Sequence, residues 1–444
     1  MKSIYHRSAT RRDVLKIAAA VSLPIFLPSR VFGEDAPSKK INVASIGVGW
    51  QGGYNLDRFL EIGDCRVVAI ADLDEGHRQG AVNKVNGHYK DENCKGYKDF
   101  REVIARADID LVAISTPDHW HSIPAIMAAQ AGKDIFCEKP LSHTLAEGIA
   151  MVDAVTKAKR IWQTGSWQRS NEEFRWAVEL VLSGFIGKVS RVEVGLPGGH
   201  TDFGGSGANA PDSEAPAHVD YDFWLGPAAK MPFNRSRFHK NWRWNYNTGG
   251  GQLMDWIGHH CDIAHWGLSN KHGCGITDDQ LGPMEIKATA EFPNKTDIWN
   301  TATKYRIDCK YPNNVEVIIA AGEKEIRDGT RWIGANGWVQ VSRGRIETSN
   351  REWMKELKER EDKLPVVIPK SPGHWRELID CVKSRKRTLT PVEVAHRSQT
   401  PGHLGLIAAR TGRTLKWDAK KQVILGDAEA SKMIGKDFRA PWKL

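Results

Sequence analysis

The sequence predicts an α/β protein in which a doubly wound parallel sheet is followed by an α+β domain with a largely antiparallel open sheet. Three observations predict it. An apolar run feeds a glycine turn and a helix at residues 41–62; apolar strands and helices then alternate to residue 165; beyond that, strands of alternating polarity follow one another. At 444 residues the chain is long enough for two such domains.

The N-terminus comes first in order. Thr10-Arg11-Arg12-Asp13-Val14-Leu15-Lys16 precedes a short apolar stretch, Ile17 to Leu27, and then Val31-Phe32-Gly33. Paired arginines before a short apolar region and small residues predict a twin-arginine export signal over residues 1–33, and so a periplasmic or otherwise extracytoplasmic protein. Six basic residues and one acid in that segment account for five of the nine formal positive charges, so the basic balance does not argue for nucleic acid. No apolar run reaches the roughly 18 residues a membrane span needs, and no membrane contact is expected after signal cleavage. The seven cysteines, Cys65, Cys94, Cys137, Cys261, Cys274, Cys309 and Cys381, are scattered without a C-x-x-C pair, which predicts neither a disulfide framework nor a zinc knuckle.

Ile41–Ile46 reads as a buried strand running into Gly47-Val48-Gly49-Trp50-Gln51-Gly52, with a helix from Tyr54 to Ile62. In a Rossmann turn of this form Gly47 permits the bend, Gly49 lets backbone N–H groups approach a pyrophosphate, and Gly52 packs helix on strand. A second strand, Arg66–Ala71, ends at Asp72, about 20 residues beyond the turn, where a carboxylate binds ribose hydroxyls and disfavours a 2′-phosphate. NAD is therefore expected rather than NADP. The competing reading makes Asp72 a helix cap. Further alternation follows: strand Leu111–Ile114, helix Ile123–Ala131, strand Asp134–Cys137, helix Leu145–Ala158. Two loops at strand ends carry polar chemistry, Ser115-Thr116-Pro117-Asp118-His119-Trp120-His121 and Glu138-Lys139-Pro140. From these, Thr116, Pro117, His121 and Glu138 join Gly47, Gly49, Gln51, Gly52 and Asp72 as expected cofactor-binding residues.

From Ile161 the pattern changes. A helix over Glu172–Leu182 precedes strands at Lys188–Val194, Met284–Phe292, Ala302–Asp308 and Asn314–Ala320. This places a dinucleotide domain at 41–165 and a substrate-binding and oligomerisation domain with a C-terminal extension at 166–444. Gly195–Pro216, rich in Gly, Ala, Ser and Pro, reads as a long loop beside a site. Asp255 and His259 lie four apart on a helix beginning near Met254, a spacing that lets a carboxylate orient an imidazole. Equally, Asp255 reads as a cap and His259 as a packed core histidine. His259, His260, Asp262 and His265 lack a zinc-hydrolase spacing, so no metal is expected. Tryptophans crowd this half at Trp224, Trp242, Trp244, Trp256 and Trp266, and flat indoles beside hydrogen-bonding side chains suit a carbohydrate. Trp167, Gln168, Arg169, Arg243 and His260 complete the expected substrate side.

The glycine turn, the Thr-Pro…His loop leading to Cys137-Glu138-Lys139-Pro140, and Gly249-Gly250-Gly251-Gln252-Leu253-Met254-Asp255-Trp256-Ile257-Gly258-His259-His260-Cys261-Asp262 together resemble the glucose-fructose oxidoreductase/inositol dehydrogenase (Gfo/Idh/MocA) family. The resemblance implies that Lys139 lies between nicotinamide and substrate, that His259 takes the hydroxyl proton with Asp255 as its partner, and that the open sheet makes a homo-oligomer. It implies NAD(P)-dependent oxidation of a sugar or polyol CH–OH group, with glycoside hydrolysis through transient C3 oxidation as the alternative. Twin-arginine export of a protein using a scarce soluble dinucleotide further implies a tightly held cofactor. Without the resemblance, Lys139 reads as a surface lysine on a turn.

Overall fold

The computed structural model describes residues 40–269, 276–359 and 363–444. The export signal expected over residues 1–33, and Cys274, lie outside them. Residues 41–444 form one unit. Its first sheet contains β1 (Ile41–Ile46), β2 (Cys65–Ala71), β3 (Lys95–Tyr97), β4 (Leu111–Ile114), β5 (Asp134–Cys137) and β6 (Trp162–Thr164) in the order β3-β2-β1-β4-β5-β6, all parallel. Apart from the exposed edge strand β3, these strands are almost continuously buried because helices cover both faces. Alternate residues divide between the faces. Val43, Val67, Leu111 and Phe136 pack under the helices Trp50–Leu60 and Glu75–Tyr89, while Ala44, Ala69, Val112 and Ile135 pack under Ser122–Gln130 and Leu145–Ala158. The strand order reverses between β1 and β4, and ligands bind at such a switch point, outside the carboxyl ends of the strands.

The second sheet follows residue 166 and is mixed but mostly antiparallel. Its strands are β7 (Val189–Gly195), β8 (Glu285–Glu291), β9 (Lys304–Tyr311), β10 (Val315–Ala321), β11 (Gly329–Gly334), β12 (Gly337–Ser342), β13 (Arg345–Thr348), β14 (Leu415–Asp418) and β15 (Val423–Leu425), ordered β13-β12-β11-β7-β10-β9-β8-β14-β15. Only β7 and β10 pair in parallel. Along β9, Tyr305, Ile307, Cys309 and Tyr311 turn inward beneath the helices Gly251–Leu268 and Val392–Thr411. The intervening side chains face outward into ion pairs, Lys304 with Glu291, Arg306 with Glu323 and Lys310 with Glu285. One face of the sheet is thus apolar core and the other charged.

The segment after residue 166 does not stay with the second sheet. The helix His374–Ser384 places Leu378, Ile379, Cys381 and Val382 in the core beneath β1 and β2, and Phe438 and Trp442 pack on the opposite face of the same sheet. Hydrophobic pattern reports that such a helix has a buried stripe but not which sheet receives it.

Several histidines are fully buried, and burial lowers their pKa values: to about 3 for His119, His265, His374 and His403, and to about 4 for His121. Each is neutral when folded and binds a proton near pH 6.5 when unfolded. The unfolded chain therefore takes up more protons below that pH, so stability is full above about 6.5 and is lost as pH falls toward 4, at up to about 1.4 kcal/mol per pH unit for each residue. The melting temperature is expected to drop steeply between pH 7 and pH 5 in scanning calorimetry, and a flat profile there would contradict the burial of these rings.

Candidate active site

At the switch point the chain leaves β1 through Gly47, whose φ of +77° suits glycine and whose missing Cβ avoids a contact of 2.9 Å with the Ser115 carbonyl. A Cβ on Gly52 would lie 2.0 Å from the Gly47 carbonyl oxygen, so only glycine lets this helix close on the turn. Asp72, at the end of β2, accepts the Val48 N–H at 2.8 Å and the Asp74 N–H at 2.9 Å, which pins its carboxylate over the turn. A cleft of about 840 Å³ runs from here along Gly47, Gly49, Gln51, Asp72, Thr116 and Pro117 to Glu138 and Lys139. The glycine cradle, the fixed acid and the volume fit a dinucleotide. A nicotinamide dinucleotide held there would supply a hydride acceptor.

The segment around residues 197–247 roofs the cleft. Phe203, Ser206, Pro216, Phe238 and His239 line it from above, and Phe203 meets Trp50 at 5.8 Å between ring centroids. Lys240 and Arg243 each stand 5.1 Å over the Trp50 ring. A bridge between Asp74 and Val219, with the Glu75 N–H donating to the His218 carbonyl at 3.0 Å, fastens the roof to the helix after β2.

At the far end the helix Gly251–Leu268 opens without a side-chain cap, at a glycine with φ +72° that lies against Thr301. This aims Asp255 at the Glu-Lys-Pro turn. Asp255 Oδ1 accepts from Lys139 Nζ at 2.8 Å and from Arg243 Nε at 3.2 Å. Burial would raise the Asp255 pKa, but the Lys139 and Arg243 charges overcome it and hold the carboxyl well below its usual range. Among the described residues no hydrogen bond joins Asp255 to His259: the expected partnership gives way because the two cations engage the carboxylate. His259 keeps its place on the same helical face. Burial, then the Lys139 and Arg343 charges, press its pKa well below the ordinary value, so the ring is neutral and able to accept a proton. Among the described residues its Nδ1 is buried without a hydrogen-bond partner, and the ring, like Asp255, does not line the cleft itself.

Glu138 is buried and accepts from Asn55 Nδ2 at 2.9 Å and Gln51 Nε2 at 3.3 Å, so it ties the glycine helix to the lysine turn. Burial pushes its pKa up. The Lys139–Pro140 peptide is cis.

Four expected site residues stand elsewhere or act differently. His121 does not line the cleft; its Nδ1 and Nε2 approach the Pro140 and Thr116 carbonyls at 2.7 and 2.8 Å, coupling the two loops from behind. Arg169 is turned away into a bidentate pair with Asp262 at 2.8 and 2.7 Å, beneath which Trp266 packs. His260 is fully buried, stacked on Trp256, with Nδ1 at 3.4 Å from Gln168 Nε2. Trp167 stays near the chemistry, edge-on to His259 at 6.4 Å, but outside the cleft wall. The residues considered for a metal disperse: Asp262 holds Arg169, and His265 meets the Tyr311 hydroxyl at 2.8 Å. Asp74, His77 and His239 bring ligand atoms within 4.8 Å of one another at the roof, where Asp74 already caps a helix through Gly76 and His77 N–H. Of the crowded tryptophans, Trp224 and Trp242 line the cleft and Trp244 is core.

Sequence reasoning missed Asn55, Trp50, Phe203, Asp118 and Arg343. Burial lifts the Asp118 pKa to about 7, and one of its oxygens accepts the Gly250 N–H at 3.1 Å. Trp50 lies inside the glycine motif, Asp118 inside the Thr-Pro…His loop and Phe203 inside the long Gly-rich loop, so each had a local signal; Asn55 and Arg343 carry none.

Comparison with known proteins identifies the family. Residues 41–166 match the NAD-binding Rossmann fold of the Gfo/Idh/MocA oxidoreductase family, and residues 171–444 match that family's C-terminal alpha/beta domain. The myo-inositol 2-dehydrogenase of Thermotoga maritima is 32% identical over 148 residues, 33% of this chain and 42% of that protein. The chain thus spans less than half the length of the curated relatives it matches first. The WlbA dehydrogenase of Chromobacterium violaceum, crystallised with NADH and UDP-GlcNAcA, superposes with a TM-score of 0.63 at 17% identity, covering 89% of this chain and 99% of that one. The aldose-aldose oxidoreductase of Caulobacter crescentus gives 0.60 at 19% identity, covering 85% and 99%. With both halves matched in order along residues 41–444, the chain belongs to the Gfo/Idh/MocA oxidoreductase family and carries its NAD-binding Rossmann fold.

Proposed function

We propose that this protein oxidises a CH–OH group of a sugar or polyol, passing hydride to NAD held in the roofed cleft. The observation that carries the reading is the Lys139–Asp255–Arg243 cluster, whose two cations line that cleft, with a neutral His259 one helical turn beyond Asp255. A lysine ammonium stabilises developing alkoxide, and a neutral imidazole accepts the hydroxyl proton as hydride leaves the same carbon. Asp72 favours NAD over NADP, and the roof holds the cofactor through repeated turnovers. Mass spectrometry of the purified protein is expected to find retained NAD(H), and incubation with free sugars, polyols and glycosides to change its redox state. Aglycone release with no net change in NADH would replace net oxidation by redox-assisted glycoside cleavage.

The same reading has the protein exported by the twin-arginine route and self-associating through the open face of the second sheet. Arg11→Lys with Arg12→Lys is expected to leave precursor in the cytoplasm, and normal processing of that double variant would remove the export assignment. A monomer in light scattering would remove the self-association.

A further inference from the structure

Three elements distant in sequence converge above His259. Trp167 comes from the short turn after β6, Trp256 follows Asp255 on its helix, and Arg343 sits in the two-residue turn between β12 and β13. The Arg343 guanidinium carbon stands 4.5 Å from the Trp167 ring centroid and 4.6 Å from that of Trp256. Both indoles are edge-on to His259, with centroids at 6.4 and 5.6 Å. The proton-accepting imidazole therefore lies at the base of an aromatic slot, and a guanidinium fills the slot between the two walls.

The charge in that slot has no anion of its own. Other arginines of the same sheet are matched: Arg327 and Arg345 with Glu347, and Arg331 with Glu193. Among the described residues no carboxylate comes within 4.0 Å of Arg343. Asp255 and Asp328 are close enough to act on it, yet Asp255 is committed to Lys139 and Arg243, and Asp328 accepts from the Ser342 hydroxyl at 2.6 Å. Lys139, Arg243 and Arg343 thus surround a site where one carboxylate already serves two of them. An arginine flanked by aromatic faces loses little entropy on binding, and the edge of its planar fork suits the paired oxygens of an oxyanion.

We infer that Arg343, held between Trp167 and Trp256, binds a negatively charged oxyanion on the substrate, so that the preferred substrate is an acidic sugar or polyol. The inference rests on the function proposed above. The group is a carboxylate, as in a uronic or aldonic acid, or a phosphate ester, and both present the same paired oxygens to the fork.

Calorimetry on the NAD-loaded protein tests it, with glucuronate, glucose 6-phosphate, glucose and myo-inositol as ligands. At least one charged ligand is expected to bind roughly 10–10²-fold tighter than the neutral ones, the range of a charge-assisted hydrogen-bonded pair. Which charged ligand is preferred distinguishes carboxylate from phosphate. Arg343→Gln, on an exposed turn, is expected to erase the preference, and Arg343→Lys to restore part of it. Equal binding of charged and neutral ligands by the wild type, no binding of any, or an unchanged preference in Arg343→Gln would each overturn the inference. The redox panel reads the proposed function separately: hydride transfer from neutral sugars without charge preference leaves that function standing and removes only this inference.

Discussion

Lys139→Ala is expected to lower turnover of the NAD-loaded protein by roughly 10²–10⁴-fold, the usual contribution of a positioned acid or charge stabiliser. The residue lines the cleft and, beside Arg243, reaches Asp255, at 2.8 Å, and its side chain is only 13% exposed, so no mobile surface lysine can replace it. Loss of the ammonium leaves Asp255 held by Arg243 alone, a carboxylate still paired but no longer opposite a cation that faces substrate. Folding and cofactor retention are expected to survive, because the glycine turn and Asp72 lie at the other end of the cleft. Steady-state rates beside mass spectrometry of retained NAD check both halves. Near-normal turnover in a loaded, folded variant would move the chemistry elsewhere.

His259→Ala is expected to cost a similar roughly 10²–10⁴-fold, through loss of the proton acceptor. Its pH dependence is the sharper measurement. Burial first, and then the Lys139 and Arg343 charges, keep the wild-type imidazole neutral through the physiological range, so the rate is expected to stay flat there and fall only in acid, as the ring becomes protonated. Lys139→Ala removes the charge with the stronger effect on the ring and should move the acid limb upward toward neutral pH. In His259→Ala the limb should vanish from what activity remains. An acid limb that persists in His259→Ala at its wild-type position would show that another group accepts the proton.

Much of the fold is legible in local pattern. β1, β4 and β5 match their expected bounds because each is a short, mostly apolar and buried run that ends at a polar or glycine-rich loop. The helix bearing Asp255 starts at Gly251, three residues before the expected start, because its first turn is fixed by packing of Gly251 against Thr301. What local pattern does not report is choice of partner. The four-residue spacing places Asp255 and His259 on one face, but the ion pair that Asp255 makes comes from Lys139, 116 residues away. Arg169 follows the last Rossmann strand, as a pocket residue would, yet Asp262 turns it inward. Arg343 lies in an ordinary hairpin turn, and its setting exists only once two sheets and a helix have assembled.

The first sheet is covered partly by the helix His374–Ser384 and by Trp442, whose ring lies 4.7 Å from Trp120 and 5.4 Å from Phe223. Arg439 adds a hydrogen bond to the Gly226 carbonyl at 2.8 Å. The dinucleotide half is therefore not a folding unit contiguous in sequence. A nascent chain that has emerged only through β6 leaves the apolar strand faces around Val43, Val67 and Phe136 lacking one of their covering helices, and the Trp120 wall of the cleft lacking its backing. Domains that close within their own sequence fold as the ribosome delivers them; one that waits for a distant segment cannot finish until that segment arrives. Completion of the cleft is therefore expected to follow synthesis of the C-terminal segment, and a ligand that binds the completed cleft stabilises the assembled chain as a whole.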